Sequence, residues 1–247
     1  MQVNGLLFDL GGTLFSYSGR RRMGQALMGA VTELGIDAQP KDIGAAWGEA
    51  SRDAMRRFSQ EPYFLHRDLF TSTLEAFAAG FEREVGEALR ERFIAAQRQA
   101  TIDNLPIRDD TAETLEALKS RGLYLAIVSN IDDDYLDPIV AKHGLERWLD
   151  HWTSSEEAAS CKPHTGIYHY SLEKAGLNTG ETLFVGDSLH HDVAGASAVG
   201  MRSVRISEEG ISTPLTEGLE VTAEPDYEIT SLTELIDIVD ALNGNGR

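Results

Sequence analysis

The chain has 247 residues, 42% of them hydrophobic, and a net charge of −18. That length suits one large domain or a core domain with an insert, and the acidic surface argues against nucleic acid and anionic membranes as partners. The single cysteine, Cys161, excludes an intramolecular disulfide and fits a reducing, cytoplasmic setting; the apolar runs are strand-length, and the start lacks a basic, apolar leader, so neither a membrane span nor a secretory signal is expected.

Gly5-Leu6-Leu7-Phe8 reads as a buried parallel strand running into Asp9-Leu10-Gly11-Gly12-Thr13. From about Ser16 to Asn104 the pattern is helical. Ile43, Trp47, Ala50, Ala54 and Phe58 recur at helical spacing and line one apolar face. Glu61-Pro62 marks a break, with Pro62 suited to the first turn of a new helix. Helical patterns follow from about Tyr63 to Ala79 and from about Glu82 to Gln99. After Asp109, helix and strand alternate. Thr111–Ser120 is helical, Leu123–Val128 a strand, and a helix follows to about His143. A helix starts near Thr165, Leu183–Val185 is a strand, and Asp192–Val199 a helix. Arg202–Ile206 is a strand, and the last helix spans about Ser231 to Leu242 with a capping-box pair, Ser231 and Glu234. Alternating strands and helices mean a parallel sheet covered on both faces.

Polar groups stand at four places in this frame: Asp9, Ser129-Asn130, Lys162-Pro163 and Gly186-Asp187-Ser188 with Asp192 beyond. In a parallel sheet the strand ends that lead into helices share one edge, so these groups converge. Carboxylates, a hydroxyl, an amide and an ammonium suit a phosphoryl group and a hard cation. Magnesium takes one or two carboxylates with further oxygens. Asp9 and Asp187 supply carboxylates, and the Gly11 carbonyl is within reach. Attack by Asp9 on phosphorus gives an aspartyl-phosphate that water hydrolyses, with Lys162 and Ser129 stabilising the phosphoryl oxygens.

In order and placement, Asp9-x-Gly-Gly-Thr13, Ser129-Asn130, Lys162-Pro163 and Gly186-Asp187-Ser188-x-x-x-Asp192 resemble the four motifs of the haloacid dehalogenase superfamily. The helical insert is similar to the cap of the phosphoglycolate phosphatase-like subgroup. The resemblance implies a Rossmann-like parallel sheet core, residues 1–15 and 105–247, with an all-helical cap, residues 16–104. It implies Asp9 as nucleophile, Ser129 and Lys162 as the phosphoryl-binding pair, and Mg2+ held by Asp9, Gly11, Asp187 and Asp192. Asn130, Thr13 and Gly12 join them as substrate-binding groups. A small phosphorylated metabolite is the implied substrate, and the chain is expected as a monomer or homodimer.

Gly11 departs from that pattern. Phosphatases of the superfamily usually carry a second Asp there, as acid to the leaving group and base to the water, and such a group contributes roughly 10²–10⁴-fold. One reading is a phosphatase that favours acyl, aryl or anomeric phosphates, whose leaving groups depart unprotonated. Asp132–Asp134 and the pair His190-His191 could substitute; the acids read first as a charge-stabilised helix N-terminus, and the histidines as a solvated loop. The alternative is a phosphate- and magnesium-binding regulatory protein with weak or no turnover. Dehalogenation needs no metal and ranks lower. So does phosphonate cleavage, because Lys41 is the only lysine between Asp9 and Asn104. Arg20-Arg21-Arg22 offer a basic rim over the phosphate, with Arg20 the foremost candidate; Arg52, Arg56 and Arg57 cluster on a helix and read equally as a solvated face.

Overall fold

Gly5–Phe8 (β1) is buried at every residue and lies inside a sheet whose strand order is β3-β2-β1-β4-β5-β6. Its companions are Tyr124–Ser129 (β2), His151–Ser154 (β3), Thr182–Gly186 (β4), Arg202–Ile206 (β5) and Tyr227–Ile229 (β6). Every pairing is parallel. This computed structural model describes residues 2–17, 24–209 and 223–244. The parallel α/β architecture expected from the alternation is the one observed.

The chain forms two compact units, Met1–Ser18 with Pro106–Arg247, and Gly19–Leu105. The first holds the sheet. Side chains alternate across it: Leu7, Ala126, Val128 and Phe184 share one face with Ile167, Tyr168 and Leu172 of Thr165–Ala175 (α7) and Ala196 of Ala194–Ala198 (α8). Thr111–Ser120 (α5) packs on β2, and Glu234–Leu242 (α9) packs on α5. Leu115, Leu118, Leu232, Leu235 and Val239 are buried there. Asp133–His143 (α6) buries Ile139 and Val140 and ends on Gly144 in the left-handed conformation.

The second unit is helical: Gln25–Glu33 (α1), Pro40–Phe58 (α2), His66–Ala79 (α3) and Glu87–Asn104 (α4). Its core joins Ala30, Ile43, Ala50, Leu74, Phe77 and Phe93, with Trp47 packed against it. Trp47 lies 5.6 Å from Phe77 and 5.8 Å from Phe93, centroid to centroid. Exposed Arg56 pairs with Asp53, and Arg57 donates to Ser72 at 3.0 Å. That supports a solvated face for this cluster.

Several boundaries differ from the sequence pattern, each for a local reason. Pro62 starts no helix. Leu65 before α3 is extended, and Phe64 packs edge-on to Phe58 at 5.3 Å. Glu82 takes a left-handed conformation, φ 55°, so α4 begins only after Gly86. Asp192 does not open an α-helix but lies in the π-helical turn Leu189–Val193 that precedes α8. His190 and His191 occupy that same turn, half-buried rather than in a solvated loop. The capping box at Ser231 is half present: the Ser231 N–H donates to Glu234 at 2.9 Å, while the Ser231 hydroxyl donates to Asp110 at 2.8 Å. The edge strands β3 and β6, four and three residues long, were not expected from the sequence pattern. No helix among the described residues is long and apolar enough to cross a membrane.

His151 opens β3 between the Tyr124 hydroxyl, 2.9 Å from Nδ1, and the Ser171 hydroxyl, 2.8 Å from Nε2. Burial, helped by Lys174, pushes its pKa down to about 4. An unfolded histidine titrates near 6.5, so the unfolded chain binds the extra proton first. The contribution is therefore complete above about pH 6.5 and fades as pH falls toward 4. Urea denaturation across this window should show stability falling with pH in the native chain and a flatter profile in His151→Gln.

Candidate active site

The sheet order changes direction at β1, because the chain runs from β1 to β2 on one side and later to β4 on the other. Such a reversal opens a crevice at the carboxyl ends of the strands. Phe8 is in register with Ile127 of β2 and Val185 of β4. Asp9, Ser129 and Asp187 therefore leave the sheet within a residue or two of one another. The Asp9 N–H donates to the Val185 carbonyl at 2.8 Å, which pins the end of β1 to β4.

Lys162 joins the site from before α7, with 3% of its surface exposed. Its Nζ donates to Asp9 Oδ1 at 2.5 Å and to Asp192 Oδ1 at 2.7 Å. Ser129 Oγ donates to the same Asp9 oxygen at 3.3 Å. Burial works against the ammonium, but Asp192 and Asp9 outweigh it and raise the Lys162 pKa. Burial pushes the Asp9 carboxyl up from its ordinary value, and the ammonium beside it pulls the other way. Asp192 is held at both oxygens, because Oδ2 accepts from the Ser188 N–H at 2.9 Å. Gly186 makes room for it: a Cβ there would stand 2.3 Å from the Asp192 carboxyl carbon.

Asn130 spends its amide on Lys162. Its Nδ2 donates to the Lys162 carbonyl at 2.9 Å and its Oδ1 accepts the Lys162 N–H at 2.6 Å. The sequence placed Asn130 among the substrate-binding groups; this geometry points instead to holding the lysine in place. Thr13 Oγ1 is buried with no partner among the described residues. Arg20 lies outside the described residues, with Arg21 and Arg22. Asp132–Asp134 stand at the N-terminus of α6, where Asp133 accepts from Ser154 Oγ at 2.5 Å.

Asp9, Asp187 and Asp192 each offer an oxygen, all within 4.8 Å of one another. Two of these carboxylates, Asp9 and Asp192, hold the Lys162 ammonium, and the cluster is largely buried. Gly12, at φ +83°, lies against it; a Cβ there would stand 2.3 Å from Asp187 Oδ2. An all-oxygen donor set of three carboxylates fits a hard divalent cation.

One neighbour had no sequence signal at all. A Cβ built on Gly11 would meet the Tyr17 hydroxyl at 2.6 Å and two ring carbons at 3.0 Å. The loop after β1 folds back, with the Gly12 N–H on the Phe15 carbonyl at 2.6 Å and the Phe15 N–H on the Leu10 carbonyl at 3.0 Å. The space a side chain at position 11 would take thus belongs to a phenol six positions later in the chain.

Residues 3–200 match the model of the haloacid dehalogenase-like hydrolase family. The chain is similar to the ribulose-1,5-bisphosphate 5-phosphatase of Halopiger xanaduensis, 28% identical over 237 residues, 95% of this chain and 98% of that one. It is also similar to (S)-2-haloacid dehalogenase 4A of Burkholderia cepacia, 29% identical over 234 residues, 93% of this chain and 91% of that one. Among solved structures, a HAD phosphatase from Thermococcus onnurineus superposes with a TM-score of 0.66 at 27% identity, covering 97% of this chain and 98% of that one.

Removing the ammonium leaves two buried carboxylates facing each other. Lys162→Met should therefore cost about 3–5 kcal/mol in urea denaturation without added divalent cation. Adding Asp192→Asn should recover part of that loss.

Proposed function

The chain belongs to the haloacid dehalogenase-like hydrolases, and from that premise we propose that it is a magnesium-dependent phosphatase of a small phosphorylated metabolite, working through an aspartyl-phosphate on Asp9. The observation that carries this reading is the buried arrangement of Lys162 between Asp9 and Asp192, with Asp187 beside them. It offers a nucleophile, a fixed positive charge and a set of oxygen ligands for a cation in one place. The similarity to a sugar bisphosphate phosphatase along nearly the whole chain supports the same reading.

Asp9, Asp187 and the Gly11 carbonyl are the groups proposed to hold magnesium. When bound, the ion offsets the repulsion between the Asp9 carboxylate and the phosphoryl oxygens. The Asp9 carboxylate attacks phosphorus, the bond to the ester oxygen breaks, and water later attacks the acyl phosphate to regenerate Asp9. Lys162 and Ser129, already on Asp9, interact with the phosphoryl oxygens as charge moves onto them. Asp192 and Asn130 position Lys162, one by its side-chain ammonium and the other by its peptide. Thr13 Oγ1 is a further donor for the phosphoryl group.

Dehalogenation is the second reading, favoured by the similarity to a haloacid dehalogenase. Attack on carbon makes no use of a cation, and it leaves the third carboxylate, Asp187, without a task.

Hydrolysis of p-nitrophenyl phosphate should require magnesium and vanish in Asp9→Asn. Rapid quench should trap a hydroxylamine-sensitive phosphate on the wild-type chain and none on the variant. Chloride release from 2-chloropropionate without phosphoenzyme would establish the dehalogenase reading instead.

A further inference from the structure

An alkyl phosphate cannot be cleaved quickly unless the departing oxygen receives a proton. The described site holds few groups that could supply one. Lys162 is committed to two carboxylates at 2.5 and 2.7 Å, and losing its proton would leave both unneutralised. The Ser129 hydroxyl already donates to Asp9 and is a far weaker acid than a phenol. Asp9 is the nucleophile in the proposed reaction.

Thr13 Oγ1 is assigned to the phosphoryl group and, like Ser129, is a weaker acid than a phenol. The phenol beside position 11 is that of Tyr17. It stands 2.6 Å from the point where a Cβ of residue 11 would be, two residues beyond Asp9. Its ring also lies over Gly12, with Cε2 2.8 Å from the Cβ position there, on the side where Asp187 Oδ2 approaches to 2.3 Å. The placement is anchored through the next residue. Ser16 is buried, its N–H donates to the Pro106 carbonyl at 2.9 Å, and its hydroxyl donates to Glu208 at 2.9 Å. Phe15 is fully buried edge-on to His143 at 4.8 Å. Tyr17 itself is only half-buried, and its ring borders the carboxylate cluster at Asp187.

We propose that the Tyr17 hydroxyl is the proton donor to the leaving-group oxygen, with Gly11 kept small so that the phenol can reach this position. The proposal rests on the phosphatase reading above. An Asp9 oxygen bonds to phosphorus as the ester P–O bond breaks, and the electron pair of that bond goes to the ester oxygen. That oxygen takes the Tyr17 proton and leaves as the alcohol. Water then attacks the phosphoryl group and returns a proton to the Tyr17 oxygen. The P–O bond to Asp9 breaks, its electron pair returns to the carboxylate, and inorganic phosphate departs. The glycine at position 11 and the tyrosine at position 17 thus form one device, because a side chain at the first would evict the second.

The test compares leaving groups. Wild type and Tyr17→Phe are assayed with p-nitrophenyl phosphate, whose leaving group departs unprotonated, and with alkyl esters: 2-phosphoglycolate, glycerol 3-phosphate and ribulose 1,5-bisphosphate. Losing a proton donor of this kind costs roughly 10²–10⁴-fold. Phosphoenzyme formation from the alkyl esters, read by rapid quench, should fall by that factor, while formation from the aryl ester changes by only a few-fold. The double variant Gly11→Asp/Tyr17→Ala should regain alkyl-ester turnover, because the carboxyl group then has room. Equal losses on both ester classes, no loss on either, or a wild type active on the aryl ester alone would each overturn the assignment to Tyr17. A wild type that forms no phosphoenzyme and releases no phosphate from any ester would overturn the phosphatase reading itself.

Discussion

A buried ammonium between two buried carboxylates holds the centre of this molecule together. Lys162, Asp9 and Asp192 come from three distant parts of the chain, and each would be costly to bury alone. Together they are tolerable only at the distances observed, 2.5 and 2.7 Å. The strand end of β1, the segment before α7 and the turn after β4 must therefore meet with little slack. Much of the local structure reads as support for that meeting. Asn130 grips the lysine peptide, Ser188 fixes the far oxygen of Asp192, and Gly186 leaves space for it.

The same trio bears on how the site meets an anionic substrate. Lys162 stands among three carboxylates, Asp9, Asp187 and Asp192, in a chain already at −18. An acidic protein that takes an anionic substrate needs its positive charge concentrated where the phosphoryl group arrives. Lys162 and a hard cation meet that need locally, and the surface charge can stay acidic for solubility. On α2 of the helical unit, Arg56 pairs with Asp53 and Arg57 donates to Ser72.

Much of this was readable from residue order. Apolar runs of strand length, each followed by a polar group, placed Asp9, Ser129 and Asp187 at one edge of a parallel sheet. That logic works because strand direction and the alternation of strand and helix are local properties with global consequences. It failed where local pattern was weak. β3 and β6 are short edge strands, and the π-helical turn at Asp192 is imposed by contacts with Ser188 rather than by periodicity. Asn130 was recognised as belonging to the site. Its partner was not, since a side chain that grips a peptide 32 residues away leaves no mark on spacing.

Position 11 divides the two kinds of knowledge most sharply. The amino-acid order alone establishes that a glycine stands two residues after Asp9, and that no carboxylate can act from there. It says nothing about what fills the space, because a glycine specifies only the absence of a side chain. The folded loop supplies the answer: the bonds of Gly12 and Phe15 turn the chain back and bring the Tyr17 phenol over the gap. Residue types and strand ends are one-dimensional facts. Which group occupies a vacated volume is a matter of three-dimensional packing, and only the tertiary structure decides it.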